Sequence, residues 1–285
     1  DQAVKITVDG LRGGHSGIEI GLGHANANKL MARIAVDIIA NTEARLATWA
    51  GGNMRNAIPR TCEAVFTLPA ENVAELKAIV AEYAETFVNE YKGIESNIVV
   101  TTEDVETPAT QIPKEIQDNV VNAINACHNG VLRYIPSIPE IVETSSNLAI
   151  INIGNGKAAI KILARSASES QKDCLANMLE SCFCMAGMKV TFSGEYQGWD
   201  PNPNSEMIKV MADIYKREFG NEATVSVVHA GLECSVILSK YPGLDIVSFG
   251  PTLQHPHTPQ ERCEISTMPK FWQLLKCALE EVPEK

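Results

Sequence analysis

The 285-residue sequence lacks the features that mark several large classes of protein. It has no CxxC pair and no dense cysteine framework, so its eight cysteines indicate reduced thiols and a cytoplasmic location. No signal-peptide pattern precedes the first strand, and no apolar run approaches the ~18 residues that would span a bilayer. No basic cluster offsets the net charge of -11, which argues against nucleic acid or a membrane as a partner.

The sequence also has no initiator methionine: it opens at Asp1 and enters a strand pattern at once. We therefore expect it to be part of a longer protein. With 45% hydrophobic and 21% charged residues it can bury a core, and its length favours two domains over one.

Apolar periodicity predicts an α+β first domain at 1–188. Period-two patterns predict strands, and apolar residues every three or four positions predict amphipathic helices. The predicted strands are 4–9, 45–49, 64–68, 97–102, 141–153 and 158–164, and the predicted helices are 26–41, 72–91, 114–126 and 169–185. This order favours an antiparallel sheet with helices on one face.

The pattern changes in the second predicted domain, at 189–285, where strands and helices alternate. The predicted strands are 190–195, 224–228 and 245–249, and the predicted helices are 205–219, 232–240 and 269–281. Alternation of this kind indicates a parallel sheet of the α/β class. Because such a sheet must be covered on both faces, we expect part of its cover to come from outside the chain.

Two segments carry candidate functional histidines. His15 lies between glycines, which permit unusual backbone angles and the close approach of another molecule; the alternative is a simple reversal between strand and helix. His255 and His257 follow a predicted buried strand, at the sheet edge where α/β proteins bind ligands, or else lie in an exposed proline-rich loop. A catalytic zinc needs about three protein ligands, and the chain offers no such set at ligand spacing.

Three other positions have both a functional and an ordinary interpretation. The polar segment around Asn56 interrupts two strand patterns and contains arginines, which can bind a carboxylate through two parallel hydrogen bonds; it also suits a charged hairpin turn. Arg165, at the end of a predicted strand, is similarly ambiguous. Glu233 can be explained as a carboxylate in the first turn of a helix.

Six segments together resemble the aminoacyl-histidine dipeptidases, a branch of the zinc peptidase family that includes carnosinase. The segments are GGHSG at 13–17, RNAIPR at 55–60, ETSSN at 143–147, GWDPN at 198–202, HAGLEC at 229–234 and GPTLQHPHTP at 250–259. They occur in the family's order along the whole chain. The resemblance implies a metallodipeptidase that hydrolyses dipeptides with two zinc ions, which cobalt or manganese can replace.

The resemblance also assigns roles to residues. It implies that 1–188 is a lid and dimerisation domain of a homodimer, and that 189–285 is the C-terminal segment of an α/β zinc-peptidase catalytic domain. His15 would donate a hydrogen bond to the substrate carbonyl oxygen, and His257 would bind zinc. Asn56 and Arg165 would contact the substrate, Arg165 at its free carboxylate. Gly231 and Glu233 would border the substrate.

Most zinc ligands and the general base of that family are absent from this chain, so we expect the isolated chain to be inactive. Two positions depart from the family pattern: Ser235 stands where glycine is expected, and Gln260 where an acidic residue usually follows. Two alternatives stay open. The chain can be a non-catalytic lid and dimerisation module, or part of a related peptidase or deacylase.

Overall fold

The computed structural model describes residues 1–195, 198–199, 202, 204–227, 233–254 and 261–281, which divide into two units. The first unit comprises the described residues up to 195, and the second comprises the described residues from 198 onward.

A seven-stranded sheet lies at the centre of the first unit, with the strand order β6-β1-β5-β3-β8-β7 and with β9 also paired to β8. All of its strand pairs are antiparallel. Its strands are β1 (Gln2–Asp9), β3 (Arg45–Gly51), β5 (Cys62–Leu68), β6 (Val99–Val105), β7 (Gly130–Ile135), β8 (Ile138–Gly154) and β9 (Lys157–Ser166). A separate short pair consists of β2 (Gly14–His15) and β4 (Ala57–Ile58).

Four helices contact this sheet and enclose the main hydrophobic core: α1 (Ala27–Thr42), α2 (Val73–Glu90), α3 (Lys114–Ala126) and α4 (Glu169–Met185). Val4, Ile6 and Val8 on alternate positions of β1 are fully buried in that core, while Lys5 between them pairs with Glu103 at the surface. The predicted antiparallel sheet with helices on one face is therefore present in the first unit.

Local capping explains where α1 begins. Its N-cap is Asn26, whose side chain accepts hydrogen bonds from the backbone N–H groups of Asn28 and Lys29. These donors have no partner inside the helix, and an Asn at this position typically stabilises a helix by about 1 kcal/mol. The apolar stripe then faces the core, because Leu30, Ile34 and Ile38 are all at most 1% exposed.

The second unit contains three helices and one short antiparallel pair. The helices are α5 (Glu206–Phe219), α6 (Glu233–Lys240) and α7 (Met268–Glu281), and the pair is β10 (Leu253–Gln254) with β11 (Arg262–Cys263). Met211 and Ile214 of α5 pack with Leu274 and Ala278 of α7 in a small core. In the part of the chain that the structure describes, no helix has both the length and the apolar character needed to cross a membrane.

Two sequence predictions about strands need correction. The predicted strands at 190–195, 224–228 and 245–249 are not strands in their described residues. A strand requires a neighbour to complete its hydrogen-bond ladder, and these segments have none among the described residues; the side chain of Val225 is 60% exposed. The predicted parallel sheet is thus absent from the described second unit. Conversely, β7 was not predicted, because its register shifts three times and leaves no simple alternation.

Candidate functional site

The glycine-rich segment at 13–17 pairs with the polar segment at 55–60. His15 in β2 lies opposite Ala57 in β4, and the backbone N–H of Ser16 donates to the carbonyl oxygen of Asn56 at 2.8 Å. Two motifs that are distant in sequence are therefore neighbours in space. The predicted residues His15 and Asn56 therefore lie at the same short β2–β4 pair.

Glycine is required at two positions of this segment. Gly13 has a φ of +68°, and a Cβ there would lie 2.4 Å from Cγ of Arg60. Gly14 has a φ of +135°, and its Cβ would lie 2.9 Å from Oε2 of Glu19. Both φ values belong to the region that side-chain-bearing residues avoid. The glycines thus let the backbone approach Glu19 and Arg60 closely.

The imidazole of His15 is held through its Nδ1 atom. Nδ1 accepts hydrogen bonds from the backbone N–H groups of Gly17 and Ile18, both at 3.1 Å. A ring nitrogen that accepts two N–H bonds carries no proton, so the neutral ring has its proton on Nε2. The backbone N–H of His15 donates to Oε2 of Glu19 at 2.7 Å, which fixes the main chain as well. The result is an oriented Nε2–H donor.

Asn147 of β8 ties the segment at 55–60 to the large sheet. Its Nδ2 donates to the carbonyl oxygens of Ala57 at 2.8 Å and Arg55 at 3.2 Å. Asn147 is fully buried, so its Nδ2 supplies the hydrogen bonds that water cannot supply to these carbonyl oxygens. The two bonds flank Asn56 and hold its backbone in position.

Arg165 lies on the same face of the sheet as Asn147. In the β8–β9 pairing Asn147 lies opposite Leu163, and Ser145 lies opposite Arg165. Because side chains alternate along a strand, positions two apart share a face. The predicted carboxylate-binding arginine is thus on the sheet face that carries the Asn56 segment.

An ion pair between a buried carboxylate and an exposed arginine continues this polar face. Glu143, also two residues from Ser145 on β8, is 7% exposed, and its Oε1 lies 3.2 Å from Nε of Arg133 in β7. The guanidinium compensates a carboxylate that would otherwise be costly to bury. One face of β8 therefore carries Glu143, Ser145 and Asn147 in succession.

The remaining predicted site residues belong to the second unit or lie outside the described residues. Glu233 begins α6 and its side chain is exposed. Gly231, His255 and His257 lie outside the described residues. Within the described ranges, no group of three or more His, Cys, Asp or Glu residues could hold a metal ion. The described residues alone therefore do not fit a zinc site.

Two residues that orient the site were not singled out from the sequence. Glu19 is close to His15 along the chain, yet a glutamate four residues away carries no distinctive signal. Asn147 appeared only within the resemblance motif, and its bond to Ala57 spans 90 positions. Such a contact has no local pattern in the sequence.

Comparisons with known proteins place these observations in context. Residues 6–95 match the family model described as a peptidase dimerisation domain. Over 284 residues the chain is 36% identical to cytosol non-specific dipeptidase of Escherichia coli (strain K12). The matched region is 100% of this chain and 59% of that protein. The crystal structure of aminoacylhistidine dipeptidase from Vibrio alginolyticus has a TM-score of 0.93 and 38% identity, covering 100% of this chain and 58% of that one.

These comparisons confirm the resemblance inferred from the motifs, including its extent along the whole chain. They also show that the chain spans less than two thirds of the length of the relatives it matches.

Proposed function

We propose that this relative of the dipeptidases is part of an enzyme that hydrolyses dipeptides, and that 1–188 is its substrate-covering and dimerisation domain. In this proposal 189–285 is the C-terminal segment of the catalytic domain. The observation that carries the proposal is the pair of backbone N–H bonds to Nδ1 of His15, which leaves the proton of the neutral ring on Nε2, next to the segment of Asn56. Both relatives are named as dipeptidases, which supports the reaction class.

His15 acts as a hydrogen-bond donor to the carbonyl oxygen of the scissile bond. Negative charge develops on that oxygen in the transition state, so a donor aimed at it stabilises the transition state more than the substrate. The two backbone bonds to Nδ1 suit this role because they keep the proton on Nε2 and fix the ring. A fixed donor needs little reorganisation during the reaction.

Asn56 and Arg165 bind the substrate. Asn56 is positioned by the bonds that its neighbours make with Asn147, and its side chain is half-buried. Arg165 has the planar guanidinium that pairs with a carboxylate through two parallel bonds, which suits the free C-terminus of a dipeptide. Gly231 and Glu233 border the substrate in this proposal, on the strength of the motif resemblance alone.

The metal requirement rests on the resemblance and not on the described residues. His257 is proposed as a ligand to one of two zinc ions, and the other ligands would come from protein outside this chain. Bound zinc, or cobalt or manganese in its place, would supply the activation of water for attack on the peptide carbonyl. A neutral imidazole is a suitable ligand for zinc.

The direct test is hydrolysis of a panel of dipeptides, including aminoacyl-histidine substrates, by the full-length protein that contains this chain. We expect turnover that a chelator abolishes and added zinc restores, and no turnover by the isolated chain. Hydrolysis of N-acyl amino acids without any dipeptide hydrolysis would instead establish the related deacylase. Turnover of neither class by the metal-loaded protein would contradict the proposal.

A second candidate is a non-catalytic dimerisation module, favoured by the family model matched at 6–95. Both candidates include a homodimer. Among the described residues, β6 has a sheet neighbour on one side only, and it borders an apolar groove shared with α2. Val88 and Val99 line that groove and are about half exposed, as a surface that pairs with a second copy would require.

Sedimentation of the full-length protein tests this interface. Val99→Asp should shift the dimer toward monomer, because a charge would be buried at the contact. Ile116→Asp is the matched control for placing a charge on an exposed apolar side chain, because Ile116 is 53% exposed and lies on α3, outside this surface. Equal dimer fractions for Val99→Asp and wild type would exclude this surface.

We also propose that the protein is cytoplasmic, since the Escherichia coli relative is a cytosol dipeptidase. All eight cysteines of the chain are free thiols, which is consistent with a reducing compartment. Fractionation of the source cells, followed by immunodetection, checks this assignment.

A further inference from the structure

We propose that Glu95 is a positioning residue for His15, an inference that rests on the proposed function. Glu95 is 8% exposed and follows the end of α2, where its backbone N–H donates to the carbonyl oxygen of Tyr91 at 3.0 Å. Its carboxylate does not touch His15. It binds the two ends of the loop on which His15 lies.

The two carboxylate oxygens of Glu95 each take one end of that loop. Oε2 accepts a hydrogen bond from the backbone N–H of Arg12 at 2.7 Å, and Oε1 accepts one from the backbone N–H of Ala25 at 3.0 Å. Bonds from N–H groups to an ionised carboxylate are stronger than bonds between neutral groups. One side chain therefore joins the two ends of the loop at Arg12 and Ala25, which we call its neck.

A second contact lies next to the first. Nδ1 of His24 and the carbonyl oxygen of Gly13 are 2.5 Å apart, and these residues adjoin Ala25 and Arg12 respectively. The two ends of the loop are thus joined by two neighbouring contacts. The segment between these contacts contains glycines with positive φ, whose backbone is conformationally permissive.

Inside the neck, Glu19 holds the backbone of His15. Oε2 of Glu19 accepts from the N–H of His15 at 2.7 Å, and the N–H of Glu19 donates to the carbonyl oxygen of His15 at 3.0 Å. The loop interior is thus rigid around His15, but Glu19 belongs to the same loop and moves with it. Among the hydrogen bonds of the described residues, those of Glu95 join the loop to the end of α2, while the β2–β4 pair joins it to the segment at 55–60.

The substitution Glu95→Gln removes one of the two acceptor oxygens and keeps the size of the side chain. Glutamine keeps the size, but it has one acceptor oxygen where glutamate has two, so either Arg12 or Ala25 loses its partner. We expect the loop to open at the neck and His15 to lose its fixed position. Because misplacing a catalytic group by about 1 Å can cost as much as 10²-fold in rate, kcat should fall about tenfold or more.

Glu90→Gln is the matched control. Glu90 lies near the end of the same helix, and its carboxylate also makes two hydrogen bonds, but both go to the guanidinium of Arg33 at the surface. This variant removes an equivalent charge without touching the loop. Its kcat should stay within about twofold of wild type.

The experiment combines steady-state dipeptide hydrolysis with hydrogen exchange of the full-length protein. In Glu95→Gln we expect the fall in kcat with KM within about twofold, and faster amide exchange confined to 12–25. A purely structural role would instead raise exchange throughout the first unit and leave kcat per folded molecule unchanged. That result, or a kcat equal to wild type, would overturn the inference.

The two proposals fail in different ways. A wild-type protein without dipeptidase activity removes the proposed function, whereas normal wild-type activity with an unaffected Glu95→Gln variant removes only the positioning role. If Glu95→Gln does not fold, Glu95→Asp replaces it, because the shorter carboxylate cannot reach both amides. Unchanged exchange at 12–25 in Glu95→Asp would then overturn the inference.

Discussion

Replacement of Asn147 by alanine is the substitution whose cost follows most directly from the structure. It removes the donor for the carbonyl oxygens of Ala57 at 2.8 Å and Arg55 at 3.2 Å. It also removes the acceptor for Nδ2 of Asn26, but that bond is long, 3.4 Å, and Asn26 retains the carbonyl oxygen of Leu148 at 3.1 Å. The loss therefore falls on the two carbonyl oxygens.

The magnitude can be worked from these contacts. A buried polar group left without a partner costs about 1–3 kcal/mol. The Ala57 contact is short and should be near the middle of that range, while the longer Arg55 contact should be near its lower end. Adding the small cavity left by the carboxamide gives about 2–4 kcal/mol of lost folding free energy.

Urea unfolding followed by circular dichroism measures this loss, with Asn152→Ala as the matched control. Asn152 lies on the same strand, but its side chain is exposed. Asn147→Asp adds a further comparison, since it keeps the shape but directs an oxygen at the carbonyl oxygens and should cost more than alanine near neutral pH. A loss below about 0.5 kcal/mol for Asn147→Ala would refute the reasoning.

Two further predictions concern stability and are read from urea unfolding. Gly52 and Gly156 have nearly equal φ, +71° and +72°, but a Cβ on Gly52 would lie 1.9 Å from the carbonyl oxygen of Ala149, whereas Gly156 has nothing within 4 Å. Gly156→Ala should cost about 1–2 kcal/mol and Gly52→Ala clearly more, and equal costs would contradict this. Burial raises the pKa of Cys127 from 9.0 to about 11, so between these pH values the unfolded chain releases a proton that the folded chain keeps, and stability falls as pH rises. The stability of wild type relative to Cys127→Ala should fall by about 2–3 kcal/mol toward pH 11, and a constant difference would contradict the assignment.

The helices were the most predictable part of the fold. The predicted helices at 114–126 and 169–185 agree with α3 and α4 at both ends, because amphipathic spacing is a local property of the sequence. Long strands of the antiparallel sheet were also found, because one face is buried. The predicted strands of the second unit failed, since a strand depends on a neighbour that local sequence does not reveal.

The candidate site was predictable only in its motifs. The glycines around His15 indicated a special turn, and the structure explains them through close contacts with Glu19 and Arg60. The residues that fix the turn were not predictable, because the bonds from Glu95 to Arg12 and Ala25 span 83 and 70 positions. Contacts at that separation leave no periodicity or spacing in the sequence.

The central claim is that His15 stabilises the transition state of dipeptide hydrolysis, and the kinetics of His15→Ala in the full-length protein test it most directly. Losing one such donor should lower kcat by about 10²–10³-fold with little change in KM, while His128→Asn should leave kcat within about twofold. A His15→Ala enzyme that retains kcat within about threefold of wild type would contradict the claim.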